Sequence, residues 1–260
     1  MKTKDLSFII VNYNSEKYLK VCIGAILDKA KSLNFEVIIV NNDKRRINFA
    51  DFADSRCVIE EVNENVGFGA ACNKGSELAS GEVLCFINPD TELISKNAVD
   101  VIDKLRNSQY LGIIGPRVIE SKGIVQPWSA GFKLTLPELL MNNLGIIRSK
   151  HVWESGLERE VDWVTGASMF IKKDLFETLG GFDERFFMYF EDMDLCMRAK
   201  QLGKKALYFP TVEVMHQGGG SVTHEASQKE QYYQSQEYYF QKHFSIPHKY
   251  LVKALRILCK

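Results

Sequence analysis

The chain has 260 residues, 45% of them hydrophobic, enough to bury a sizeable core as one large domain or two small ones. Lys plus Arg equal Asp plus Glu at 33 each, so the formal charge is zero and the basic footprint of a nucleic-acid binder is absent. Six cysteines (Cys22, Cys57, Cys72, Cys85, Cys196, Cys259) carry no CxxC pair and no His/Cys ligand spacing, a pattern of reduced, buried thiols that suits the cytoplasm.

The N-terminus runs into an apolar strand at 6–11 without a signal peptide, and no apolar run reaches bilayer-spanning length. Residues 15–32 follow with helical spacing through Leu19, Ile23, Ile26 and Leu27. Strands are predicted at 36–40, 57–62, 83–87 and 111–114. Helices are predicted at 68–79, ended by Ser80-Gly81, and at 95–107. This alternation predicts an α/β fold with a mostly parallel central sheet flanked by helices. Residues 117–160 carry no clear period and read as an acceptor-facing region rather than a second core. Regular structure returns with strands at 161–164 and 167–171, a short helix at 173–179, a helix ending at Leu202 with Gly203 as its cap, and strands at 205–209 and 212–215. The remainder reads as a helical C-terminal extension. The division is one domain over 1–224, with a nucleotide half at 1–116 and an acceptor half at 117–224, followed by the extension at 225–260.

On such sheets ligands bind beyond the carboxyl ends of the strands. There the first strand runs into Asn12-Tyr13-Asn14, the second into Asn41-Asn42-Asp43 and the fourth into Asn88-Pro89-Asp90. The third leads to Asn63, Asn65 and Gly67-Phe68-Gly69. Any one of these is an ordinary turn; four in register mark a pocket edge. Gly67-Phe68-Gly69-Ala70-Ala71-Cys72 is no dinucleotide fingerprint, since it lacks the third Gly and does not follow the first strand. Asp90 and the distant His216 on a strand end form a candidate metal pair. A hard cation bridging two phosphates needs only one or two protein ligands.

Residues 182–196 concentrate chemistry. Five acids (Asp183, Glu184, Glu191, Asp192, Asp194) fall within twelve positions, interleaved with Phe182, Phe186, Phe187, Tyr189 and Phe190. Rings beside carboxylates are the signature of a partly desolvated acid/base site, because burial raises a carboxyl pKa. A helix N-terminus with acids in its first turn explains the same residues, and both readings can hold together.

These segments, in this order, resemble family 2 glycosyltransferases of the GT-A fold, close to bacterial rhamnosyltransferase-like enzymes of surface polysaccharide synthesis. The resemblance rests on Ser7-Phe8-Ile9-Ile10-Val11-Asn12-Tyr13-Asn14 and on Asn63-Glu64-Asn65-Val66-Gly67-Phe68-Gly69-Ala70-Ala71-Cys72-Asn73-Lys74-Gly75. It continues through Phe86-Ile87-Asn88-Pro89-Asp90-Thr91, Val164-Thr165-Gly166-Ala167, Gly180-Gly181-Phe182-Asp183-Glu184-Arg185-Phe186-Phe187, Tyr189-Phe190-Glu191-Asp192-Met193-Asp194-Leu195 and His216-Gln217-Gly218-Gly219. It implies a nucleotide-diphospho-sugar donor, with dTDP-L-rhamnose favoured, and a glycan or lipid-linked glycan acceptor. It also implies inversion at the anomeric carbon, with Asp192 as catalytic base and Mg²⁺ or Mn²⁺ held by Asp90 and His216. Donor contacts fall on Asn12, Tyr13, Asn14, Asn41, Asn65, Gly67, Phe68, Asn73, Asn88 and Asp90. Two positions depart from the family pattern: Asn88 stands where many members have Asp, and Asn41 stands where an acid binds the base. Those departures are the support for the alternative, a non-catalytic sugar-nucleotide- or glycan-binding protein of the same fold.

Acceptor contacts are expected from Trp128, Trp153 and Glu191, since flat rings complement pyranose C–H faces; Trp163 reads as packing. In residues 248–260, Leu251, Leu255 and Leu258 at helical spacing, with Lys249, Lys253, Arg256 and Lys260, describe either a helix seated peripherally on the inner face of the plasma membrane or one packed on protein. A homodimer is a further partner compatible with the sequence.

Overall fold

The computed structural model describes residues 4–48, 52–218, 225–244 and 246–258. Its centre is a sheet in which β1 (Lys4–Asn12) pairs in parallel with both β2 (Phe35–Asn41) and β4 (Gly81–Ile87), and β2 pairs in parallel with β3 (Cys57–Glu61). β10 (Ser168–Lys172) runs antiparallel to β4 and to β6 (Leu111–Ile119). β11 (Lys205–His216) is parallel to β6 and carries β5 (Thr91–Leu93) on its far edge; β8 (Arg159–Val161) pairs with it in antiparallel. The order is β3-β2-β1-β4-β10-β6-β11-β5.

The inner strands read as continuous apolar runs because both faces are covered. Along β1, Phe8 and Ile10 enter one core with Leu19, Ile23 and Ile26 of α1 (Glu16–Lys29) and with Val101 and Leu105 of α3 (Ala98–Arg106). Ile9 and Val11 enter the other, with Ala71 and Cys72 of α2 (Phe68–Leu78), Phe176 of α6 (Lys173–Thr178) and Leu195 of α7 (Glu191–Gln201). Helix α2 lies directly on the sheet because Gly75 has no side chain. A Cβ there would come within 2.6 Å of Ile9 and 2.8 Å of Val40.

The predicted elements of the first half are present to within a few residues. Three differences have physical causes. Thr91–Leu93 is a short edge strand too brief to carry a pattern. The strands expected at 205–209 and 212–215 are one strand, β11, whose register shifts between Phe209 and Glu213, where Pro210 cannot donate to a ladder. Residues 117–160 also hold β7 (Ala130–Gly131), paired with β9 (Trp163–Val164), and the helices α4 (Leu136–Asn143) and α5 (Lys150–Glu154).

The C-terminal extension consists of α8 (Glu225–His243) and α9 (Ile246–Leu258). A third apolar cluster joins it to the body: Leu134, Leu139, Phe186, Phe190 and Met197 meet Tyr239 and Phe240 of α8 and Val252 of α9. The boundary expected at 224, like Gly219, Cys259 and Lys260, lies outside the described residues. Among those described, no helix is long and apolar enough to cross a membrane.

Candidate active site

The carboxyl ends of β1, β2, β4 and β11 meet at one edge, as parallel pairing requires. Here β11 delivers His216. Its Nδ1 lies 2.8 Å from Gln126 Oε1, and Asn88 Nδ2 donates to its Nε2 at 3.4 Å. Nε2 also lies 3.2 Å from Asp90 Oδ1, so Gln126, Asn88 and Asp90 together surround the ring. A carboxylate and an imidazole at that separation are close enough to share one divalent cation, and Gln126 on the other ring nitrogen holds the imidazole in place. The residues fit Mg²⁺ or Mn²⁺. Among the described residues no three His, Cys, Asp or Glu side chains gather, so a cation bound here would need its remaining ligands from outside the protein.

Asp192 sits in the first turn of α7, half-buried. Its Oδ2 accepts from Gly166 N at 2.8 Å and its Oδ1 from Met193 N at 2.7 Å. Burial raises its pKa above the ordinary aspartate value, and those backbone donors only partly offset the rise. The segment 165–167 ties this carboxylate to the metal pair. Gly166 holds Asp192, Ala167 O accepts from Asn88 N at 3.0 Å, and Thr165 N donates to Ser129 O at 2.9 Å. Gly166 also lies tight on Phe68, whose Cε1 would be 3.3 Å from an added Cβ.

The acidic segment is held from two sides. On one, Asn73 of α2 receives Phe182 N at 2.8 Å and donates to Phe182 O at 3.0 Å, while Phe68 N donates to Phe187 O at 2.9 Å. Gly67, at φ +92°, has to be glycine, since a Cβ would lie 2.6 Å from Phe187 O. On the other side stands α8. Ser235 Oγ donates to Met188 O at 2.7 Å, and Tyr238 and Lys242 both reach Asp183 Oδ2. Tyr232 lies against Tyr189 and Phe190, and Tyr239 against Phe190. Between these anchors Tyr189 and Phe190 adopt φ +68° and +69°, consecutive left-handed residues with side chains, each costing about 1–3 kcal/mol. That turn aims the first turn of α7 at the sheet edge.

Several expected contacts have other work in the fold. The Asn12 amide donates to Asn41 Oδ1 at 2.8 Å and accepts from Ser15. Asn41 in turn donates to Arg45 O and Glu61 Oε2. Both amides are buried and committed to neighbours, so neither reads a nucleobase with its donor and acceptor together. Asn65 Oδ1 accepts from Asn42 Nδ2 and Gly67 N, shaping the loop, and Asn73 is committed to Phe182. Tyr13 and Asn14 lie on the loop at the mouth, where Asp43 Oδ2 accepts from Asn14 N at 3.3 Å. Gln126 is the site-edge residue that sequence reasoning missed.

Trp153 is corrected from an acceptor contact to a packing residue: it is 3% exposed in α5, with its ring 5.6 Å from Trp128. Trp163 is buried as expected, donating to Phe132 O. Trp128 remains open, 44% exposed at φ +59°, two residues from Gln126 and one from Ser129. Glu191 is likewise corrected. It is buried and its Oε2 has no partner. Burial, and then the neighbouring Asp192, push its pKa well up, and it lies within the fold rather than at the surface.

The sequence matches the model of Glycosyl transferase family 2 over residues 7–166, from β1 through the segment that holds Asp192. The chain belongs to this family. A second model, Glycosyl transferase family group 2, matches residues 136–260. Among curated relatives, the O-antigen biosynthesis protein RfbC of Myxococcus xanthus is 26% identical over 233 residues, covering 84% of this chain and 18% of that protein. An N-acetylglucosaminyl-diphospho-decaprenol L-rhamnosyltransferase of Mycobacterium tuberculosis is 29% identical over 175 residues, covering 58% of this chain and 56% of that one. The chain thus spans less than two thirds of the length of either. Rhamnosyltransferase WbbL of Escherichia coli is 24% identical over 218 residues, covering 80% of this chain and 81% of that protein. Among solved structures, mannosyltransferase PcManGT from Pyrobaculum calidifontis, in complex with GDP-Man and Mn2+, superposes with a TM-score of 0.64 at 16% identity. It covers 93% of this chain and 64% of that one. S. aureus TarS gives a TM-score of 0.61 at 16% identity, covering 95% and 69%. At such identities these two speak for the fold, which is GT-A.

Proposed function

We propose that the chain transfers a sugar from a nucleotide-diphospho-sugar, dTDP-L-rhamnose favoured, to a hydroxyl of a glycan or lipid-linked glycan acceptor, with inversion, in surface polysaccharide synthesis. The observation that carries this reading is the 165–167 bridge. It holds a carboxylate of raised pKa on one side and the Asp90–His216 pair on the other. The rhamnosyltransferase names of two relatives favour the donor.

In this mechanism the acceptor hydroxyl yields its proton to Asp192 as its oxygen bonds to the anomeric carbon. The bond to the diphosphate breaks on the opposite face, and the leaving group keeps the electron pair. Asp90 and His216 would hold a Mg²⁺ or Mn²⁺, which would supply charge neutralisation at the diphosphate. Gln126 and Asn88 orient the His216 ring, and Gly166 orients Asp192. A double displacement through Glu191 is disfavoured, because that side chain is buried within the fold.

The test is a panel of nucleotide-sugars scored by thermal shift with Mg²⁺ or Mn²⁺, followed by nucleoside-diphosphate release and product anomer by NMR. Metal-dependent release with inversion is the expected result. A donor that binds but never turns over with any acceptor would make the chain a binding protein instead.

A further inference from the structure

Helix α4 ends in a complete Schellman cap. Ile146 N donates to Met141 O at 2.9 Å, Gly145 N to Asn142 O at 3.0 Å, and Gly145 takes φ +80°. Such a turn normally tucks its apolar neighbours against the helix. Here Leu144 is 69% exposed and Ile146 52%, with Leu140 also exposed one turn back. The preceding residue, Leu139, is buried in one cluster with Val252 of α9, so the two helices pack side by side. The outer face of α9 presents Tyr250 and Leu251, both more than half exposed. Two neighbouring, regularly built elements therefore hold five large apolar side chains in water.

We propose that these faces of α4 and α9 form one surface that rests on an anionic lipid bilayer. Charge selects the occupant. Residues 139–153 and 246–258 contain no Asp or Glu, and they place Arg148, Lys150, Lys249 and Lys253 around the apolar residues. Glu138 lies 3.3 Å from Arg148 and Glu154 3.7 Å from Lys150, while among the described residues no such pair forms at Lys249 or Lys253, so of these four cations two have a carboxylate beside them. A second copy docked isologously would bring these cations face to face; anionic headgroups complement them. No described helix is long and apolar enough to span, so the contact lies in the interfacial plane. The capped turn is preformed, and little ordering is lost on contact. This surface is independent of the transfer chemistry and involves none of its residues.

The full chain is to be sedimented with phosphatidylcholine vesicles made with and without phosphatidylglycerol, at low and high salt. The expected result is pelleting only with the anionic vesicles, weakened by salt. The paired change Leu144→Asp with Ile146→Asp should lower partition about tenfold, as should Tyr250→Asp with Leu251→Asp. Arg148→Glu with Lys150→Glu should do the same on anionic vesicles. Each variant is checked by cooperative melting, and the pairs lie on different elements, so one misfolded variant leaves the others decisive. Absence of wild-type pelleting overturns the proposal, as does equal pelleting on neutral vesicles or variants that pellet like wild type. Self-association by light scattering that Leu144→Asp abolishes, without vesicle binding, overturns it in favour of a dimer interface.

Discussion

Lys242 of α8 places its ammonium 2.6 Å from the Asp194 carboxylate, two residues beyond the candidate base. Asp194 is fully buried and also receives His243 and Arg198, and Arg198 in turn donates to Leu179 O and Gly181 O. Burial alone would raise the Asp194 pKa, but His243, Arg198 and Lys242 outweigh it and hold it below the ordinary value. Asp194→Asn should therefore cost about 3 kcal/mol or more, because it leaves cations around an uncharged centre. Urea denaturation measures this, and a change under about 1 kcal/mol would contradict the buried hub.

Asp192→Asn should lower kcat by about 10²–10⁴-fold while donor affinity holds, since the change keeps size and the Gly166 contact but removes the base. Retained turnover there, with loss in Glu191→Gln, would move the base by one residue.

The pH dependence separates the two neighbours. Burial raises both folded-state pKa values, Glu191 more than Asp192. The acid limb of kcat should then lie above the ordinary aspartate value, and Glu191→Gln should leave it in place. For stability the sign is fixed by linkage. Carboxyls of raised pKa stabilise the fold while protonated and cease to do so as pH rises through their folded values. Glu36 has the opposite sign. Burial pushes it up, but Lys4, Ser7 and Ser80 outweigh that and hold it at about 2, so its contribution is present above its unfolded value and lost as pH falls toward 2. Glu36→Gln should flatten the acid side of a Tm-against-pH curve.

Asp90→Ala and His216→Ala should each weaken metal-dependent donor binding, Asp90 the more, because hard cations prefer carboxylate oxygen. Gln126→Leu should weaken it about tenfold, through a misoriented His216 ring. Calorimetry of donor binding with Mn²⁺ against EDTA reads all three. Equal donor affinity and activity in EDTA would remove the metal from the scheme.

Trp128→Ala should raise the acceptor KM and leave the donor KM unchanged. Trp153→Ala should instead cost about 3–5 kcal/mol of stability as a buried ring is lost. The two are told apart by pairing initial-rate kinetics with thermal melts.

The alternating strands and helices of the first half were legible because each buries both faces or one stripe, and those periods survive in sequence. Asp90, Asp192 and His216 were legible as residues next to strand ends or a helix start. The meeting of the Asp192 carboxylate with Gly166 N was not, since a backbone donor leaves no composition signal. Nor was the commitment of Asn12, Asn41 and Asn73, whose amides look the same in sequence whether they face a ligand or a neighbour. Helix α4 was missed although Thr135, Pro137 and Glu138 spell its start: Thr135 Oγ1 accepts from Glu138 N at 3.3 Å. Trp153 was misread because its short helix carries no period and its partners are distant in sequence: its ring lies on Trp128, and Tyr208 Oη donates to its backbone O.

The left-handed pair Tyr189–Phe190 has a consequence for the order of synthesis. Its strain is held by rings and hydroxyls from α8, which the ribosome delivers only after every family motif has been made. A nascent chain that has reached residue 218 therefore carries Asp90, Asp192, His216 and the 165–167 segment, yet lacks the α8 contacts that hold the Tyr189–Phe190 turn. On the proposed mechanism, transfer would then await emergence of residues 232–243, whose rings and hydroxyls hold that turn.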